Sequence, residues 1–259
     1  MEKTRVKTII PIYRTDLQPW EQAALDNNMS KLSSLPVAFL KPESLELTAF
    51  AQRYPQAEIV SVPDEWLGTK RGIQGYNEMM MSETFYAMFA DCLYIFICHT
   101  DAWLFENRIE EWCDRNYDLV AAPWPTRPRY MHFPLKQYLQ LKLWLKPKDR
   151  ILHCQMFGKI GNGGLCLRKV STFREACKRH AAEIQTYNQR IDALHNEDLF
   201  WALVPKLNVP SVEDALTFSF DLKPGLCYQL NHHRLPMACH GFNKPGRTEF
   251  WQPFIPALQ

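Results

Sequence analysis

The sequence predicts an α/β protein, with a mixed, mostly parallel sheet flanked by helices. Two observations predict it. Tyr94-Ile95-Phe96-Ile97-Cys98 is an unbroken apolar run, and such a run reads as a strand buried on both faces inside a parallel sheet. Strand-like and helix-like segments also alternate through the first half of the chain in a βαβαβ order, which short right-handed crossovers turn into a sheet covered on both sides.

The elements follow in order. Val6 to Tyr13 reads as a first strand, stopped by Pro11 and the polar Arg14-Thr15-Asp16. Gln18 to Leu32 suits an amphipathic helix. Val37-Ala38-Phe39-Leu40 is a second strand and Glu58 to Val62 a third. Tyr76, Met79, Met80, Phe85, Tyr86 and Phe89 recur near helical spacing, with Ser82 as a point of breakage. The strand ending at Asp101 comes next, then a short one over Asp118 to Pro123. Gly161-Asn162-Gly163-Gly164 leads into a strand at Leu165 to Arg168. Thr172 and Glu175 have capping-box spacing, which predicts a helix opening there with Phe173, Cys177, His180, Ile184 and Tyr187 on one face. Asn196 reads as the N-cap of a helix that Pro205 stops.

Composition narrows the function. A chain of 259 residues can bury a large core as one α/β domain or two closely joined lobes. Its formal charge of +2 gives no global attraction to nucleic acid. The eight cysteines form no CxxC pair, and Cys92, Cys98 and Cys166 sit inside apolar runs. That pattern predicts reduced thiols in a cytoplasmic protein rather than a disulfide frame or a zinc site. The apolar run near the N-terminus is too short for a signal segment, and none reaches membrane-spanning length.

Four features carry the chemistry. Asp101 follows a buried strand, where ligands of open α/β sheets sit, although a carboxylate there also caps turns. Gly163 and Gly164 lack a Cβ, so backbone there can approach a sugar or phosphate closely. Glu197 and Asp198 fall in a first helical turn, where the helix dipole favours their charged form and hence a base. His240 lies near the C-terminus, between Cys239 and Gly241.

In this order the four features resemble the GT-A fold of nucleotide-sugar glycosyltransferases. The fuller set is Pro11-Ile12-Tyr13, Gly75-Tyr76-Asn77, Phe85-Tyr86, His99-Thr100-Asp101-Ala102-Trp103, Ala122-Pro123-Trp124, Gly161-Asn162-Gly163-Gly164, Asn196-Glu197-Asp198 and Cys239-His240-Gly241. It resembles a family of putative glycosyltransferases catalogued as a domain of unknown function. The resemblance implies one domain over 1–259, with a nucleotide-sugar-binding half (1–125) and an acceptor half (126–259). It implies a divalent metal, Mn²⁺ or Mg²⁺, on Asp101 and His240, with Asp198 as base and Glu197 beside it. Pro11, Tyr13, Asn77, His99, Trp103, Gly163 and Gly164 would contact the substrate. The implied reaction is an inverting transfer from a nucleotide-diphosphate sugar to the hydroxyl of a glycan or lipid-linked acceptor, possible in surface-glycan synthesis.

One departure stands out. His99 occupies the first position of the usual Asp-x-Asp motif, and it reads equally as a metal ligand, a nucleotide contact or a packing residue. The substitution keeps open a binding protein of the same fold without catalysis. A nucleotidyltransferase is the other alternative, but no Gly/Lys-rich phosphate loop follows the first strand. Lys70 and Arg71 read either as diphosphate contacts or as solvated charges, and Trp103 and Trp124 either as stacking platforms or as core. His232-His233 reads as surface. Finally, 127–150 carries seven Lys or Arg residues and one acid, Asp149, interleaved with apolar residues. It reads either as a peripheral contact with the inner face of a membrane or an anionic acceptor, or as a helix packed on the core with a solvated basic face.

Overall fold

A computed structural model describes residues 3–68 and 70–259. Nine strands form two sheets: β1 (Thr4–Pro11), β2 (Val37–Pro42), β3 (Glu58–Val62), β4 (Cys92–Cys98), β5 (Ala102–Leu104), β6 (Leu119–Ala121), β7 (Leu165–Lys169), β8 (Ser219–Phe220) and β9 (Ala238–His240). The large sheet has the order β3-β2-β1-β4-β7-β6. Its first four strands pair in parallel, and β7 alone runs against its neighbours. The small sheet is β5-β9-β8.

Strand β4 shows why an unbroken apolar run was needed. Ile95 and Ile97 enter a core with Met79, Phe85, Phe173 and Trp201 on one face. Tyr94, Phe96 and Cys98 enter another with Leu25, Phe39, Trp112 and Phe218 on the opposite face. Alternation of side chains along a strand feeds both cores from one segment. A third cluster joins Trp103, Phe220, Cys239, Phe242 and Trp251 behind the small sheet.

Several elements differ from the sequence reading. The 76–89 periodicity divides into helices Gly72–Met80 and Glu83–Ala87, with the break at the expected Ser82. The predicted capping box at Thr172 does not form. The helix there runs Val170–Arg179, and the Thr172 hydroxyl donates to Asp118 Oδ1 at 2.8 Å instead. His180 leaves helical geometry and separates a second helix, Ala181–Asn188. Phe173, Cys177, Ile184 and Tyr187 still share one core. The helix in the basic segment, Leu135–Trp144, has no buried residue, so it is not a helix packed on the core.

Candidate active site

The site forms where both sheets end. The chain leaves β4 at Cys98, passes His99 and Asp101, and enters β5 at Ala102. Antiparallel pairing sets Ala102 opposite His240, and the Gly241 amide donates to the Asp101 carbonyl at 2.8 Å. Asp101 and His240, 139 positions apart in sequence, are thus brought together by strand register. On the other flank, the His99 amide donates to the Gly164 carbonyl at 2.8 Å, extending the β4–β7 ladder into the glycine turn.

His99, Asp101 and His240 each offer one ligand atom, all within 4.8 Å of one another. His240 Nε2 lies 3.1 Å from Asp101 Oδ1. Its other nitrogen, Nδ1, lies 3.3 Å from Asp221 Oδ1 and 3.1 Å from Asn162 Nδ2. Asp221 in turn pairs with Arg247. A carboxylate behind a ligating imidazole fixes its ring orientation. Burial pushes His99 down to about 4, so its imidazole is neutral, as a ligand must be. Burial alone would lower His240, but Asp101 and Asp221 outweigh it and raise it to about 9, so a cation bound there would displace the His240 proton. Asp101 is held well below the carboxylate range, because the charge and hydrogen bond of His240, with the Lys244 charge, overcome its burial.

These residues fit a divalent cation. One carboxylate and two imidazoles form an O/N donor set, which suits Mn²⁺ better than Mg²⁺. The glycine turn leaves the space that the His240 and Glu197 side chains occupy. A Cβ on Gly164 would lie 2.1 Å from His240 Nε2, and one on Gly163 would lie 2.0 Å from Glu197 Oε1. The sequence assigned these glycines to ligand approach. In the structure the protein's own side chains require them.

Beside this cluster lies a cavity of about 520 Å³, lined by Pro11, Tyr13, Trp20, Leu67, Tyr76, His99 and Asp101, among others. The Tyr76 hydroxyl is 2.8 Å from His99 Nε2 and 3.2 Å from the Gly163 carbonyl, tying cavity wall to turn. Pro11, Tyr13 and His99 therefore face the cavity. Trp103 and Asn77 do not line it. Trp103 is edge-on to Phe242 in the third core. Asn77 bonds Asn196 and the Glu197 amide, fixing a helix start. Lys70 and Arg71 are engaged by Asp64, Glu65 and Glu78. Trp124 packs against Met156 and Leu199, and His232 and His233 are exposed.

Glu197 and Asp198 begin helix Glu197–Leu203 after Asn196, as the sequence predicts. Their electrostatics differ from the dipole argument. Burial, reinforced by the neighbouring Glu197 charge, pushes Asp198 up to about 7. Burial also pushes Glu197 up, against the Arg168 charge. Desolvation exceeds the modest effect of a helix end. Glu197 is not a free acid. Arg168 grips it at 2.8 and 3.2 Å, and both side chains are at most 3% exposed. Arg168 also donates to Tyr86 at 2.8 Å. Arg168→Met should leave Glu197 buried and uncompensated, costing about 3–5 kcal/mol in urea unfolding. Adding Glu197→Gln should recover part of that loss, and an undiminished midpoint in the single variant would exclude a structural ion pair.

Sequence reading missed Asp221, Lys244 and the role of Arg168. Asp221 had a faint signal, since it follows two aromatic residues flanking a serine, Phe218-Ser219-Phe220, as Asp101 follows its own apolar run. Lys244 Nζ stands 3.4 Å from Asp101 Oδ2. Its loop folds back because Gly241 takes a φ of +62°, and a Cβ there would meet Arg247 at 2.6 Å.

The architecture is the GT-A fold of glycosyltransferases. Core-mannan synthase A (CmsA/Ktr4) from Aspergillus fumigatus, in its Mn/GDP form, has 10% identity and a TM-score of 0.52, over 80% of this chain and 72% of its own. Mouse xyloside xylosyltransferase 1 gives 10% identity and 0.53, over 92% and 97%. The galactosyltransferase LgtC, in complex with donor and acceptor sugar analogues, gives 13% identity and 0.55, over 97% and 91%. Residues 56–240 match the family described as "Protein of unknown function (DUF5672)", and the chain belongs to that family. No curated protein matches it in sequence.

Proposed function

We propose that this protein transfers a glycosyl group from a nucleoside-diphosphate sugar to an acceptor hydroxyl. The observation that carries the reading is the His99–Asp101–His240 cluster beside the 520 Å³ cavity, which His99 and Asp101 line. The GDP and donor-analogue complexes of two proteins of this fold support a nucleotide-sugar occupant. The base and ribose would fill the cavity against Pro11 and Tyr13. A divalent cation held by Asp101 and His240, with His99 as third donor, would offset charge on the leaving diphosphate. Lys244 would add a second positive charge there.

Asp198 is the proposed base. A carboxylate raised to about 7 can accept the acceptor's proton and is still largely ionised at slightly alkaline pH. Attack by that oxygen from the side opposite the diphosphate would invert the anomeric centre. Glu197 is a positioning residue, held by Arg168 against Gly163. Residues 1–125 would serve the donor and 126–259 the acceptor, a glycan or lipid-linked hydroxyl. Seven buried thiols among eight unpaired cysteines support a cytoplasmic location. Among the described residues, no helix is long and apolar enough to cross a membrane.

A panel of UDP-, GDP- and CMP-linked sugars incubated with Mn²⁺ tests the proposal. Release of nucleotide from one donor, suppressed by EDTA and accelerated by an acceptor, is the expected outcome. Tight binding without release would leave a binding protein, and neither binding nor release would remove the nucleotide-sugar reading.

A further inference from the structure

We propose that the segment 127–150 is a docking surface for an anionic membrane. The inference goes beyond glycosyl transfer and rests on the surface alone.

Helix Leu135–Trp144 is apolar on two sides. Leu135, Leu139 and Leu143, at intervals of four, are half-buried toward the protein. The outer side carries Tyr138, Leu141 and Trp144, followed by Leu145. These are 58%, 52%, 78% and 63% exposed, and Phe133 just before the helix is 81% exposed. Among the described residues no element covers this outer side, and large apolar patches on a protein surface mark interaction sites.

Charge identifies the occupant. Arg127, Arg129, Lys136, Lys142, Lys146, Lys148 and Arg150 stand among these apolar residues, with Asp149 the only acid. Among the described residues none of the seven forms an ion pair. Elsewhere Arg5, Lys7, Arg14, Arg53, Lys70, Arg71, Arg174 and Lys178 are all paired with carboxylates. Other bases without an ion pair, such as Lys31, Lys41, Lys159 and Lys206, lie scattered along the chain, whereas seven are gathered within these 24 residues, while the total charge is only +2. Unbalanced bases interleaved with exposed Trp, Tyr, Phe and Leu match an interface of anionic headgroups over acyl chains. A second copy of this chain would set these bases against one another, so it fits less well.

Vesicle co-sedimentation of the full chain tests this. Vesicles of phosphatidylcholine with about 30% phosphatidylglycerol are compared with pure phosphatidylcholine, at low and high salt. The wild type should bind the anionic vesicles, bind the neutral ones at least tenfold less, and release as salt rises, because exposed charges are screened beyond about 8–10 Å near physiological ionic strength. Lys142→Glu/Lys146→Glu should weaken binding tenfold or more, each base contributing roughly fivefold near an anionic surface. Trp144→Ser should also weaken it without changing the melting temperature, since the side chain is exposed. Absence of wild-type binding, equal binding to neutral vesicles, or full binding by both variants would overturn the proposal. So would a wild-type dimer in solution that Trp144→Ser converts to monomer, which would assign the face to self-association.

Discussion

Asp101→Asn should abolish Mn²⁺-dependent binding of UDP or GDP, read by calorimetry as at least a hundredfold loss, with transfer falling at least as far. Asp101 is the only carboxylate in the ligand cluster, and its pKa is held so low that it is anionic at any working pH. The asparagine keeps the shape and removes the charge that a hard divalent cation needs. His240→Ala should weaken the same titration less severely, because His99 and Asp101 remain. Asp221→Asn should fall between the wild type and His240→Ala, since it removes only what orients the ring. Unchanged titrations in both the Asp101 and the His240 variants would rule out the site.

Asp198→Asn should cut transfer by about 10²–10⁴, the range for a lost general base, while donor affinity stays within a few-fold. The pH dependence gives a second readout. Asp198 must be ionised to act, so the wild-type rate should climb as pH passes through about 7 and level above it. The residual rate of the variant should lack that limb. Stability runs the opposite way. A carboxyl raised by folding contributes stability that is full below its unfolded pKa and lost as pH rises through about 7. The asparagine variant should therefore be at least as stable as wild type at pH 8, separating lost chemistry from lost folding. A collapse of donor affinity with the transfer rate preserved at saturating donor would place Asp198 on the donor instead.

Much of this protein was legible from the chain. Short strand-like segments set β1 to β3 and an unbroken apolar run set β4, and the alternation of strands and helices set a mostly parallel sheet. Asp101 was legible because a charged residue that ends a buried strand must leave the core, and the end of a parallel sheet is where it emerges. Asn196 was legible as a helix start, since its short polar side chain suits that position.

The tertiary structure decided the rest, and in each case a contact distant in sequence outweighed a local signal. The local dipole argument favoured ionised acids at Glu197 and Asp198, but burial raised both, and Arg168, 29 residues away, claimed Glu197. The spacing at Thr172 offered a capping box, but Asp118, 54 residues away, took the hydroxyl. Trp103 read equally as platform or core, and the packing of Phe242 settled it as core. The apolar content of Leu135–Trp144 was plain in sequence, but not that its outer side stays uncovered. Composition records which residues are apolar, whereas exposure depends on what the remainder of the chain packs against them. The meeting of His99, Asp101 and His240 has the same origin. Their types were visible in the chain, but their separation is fixed by the register of β5 on β9, a property of two strands together.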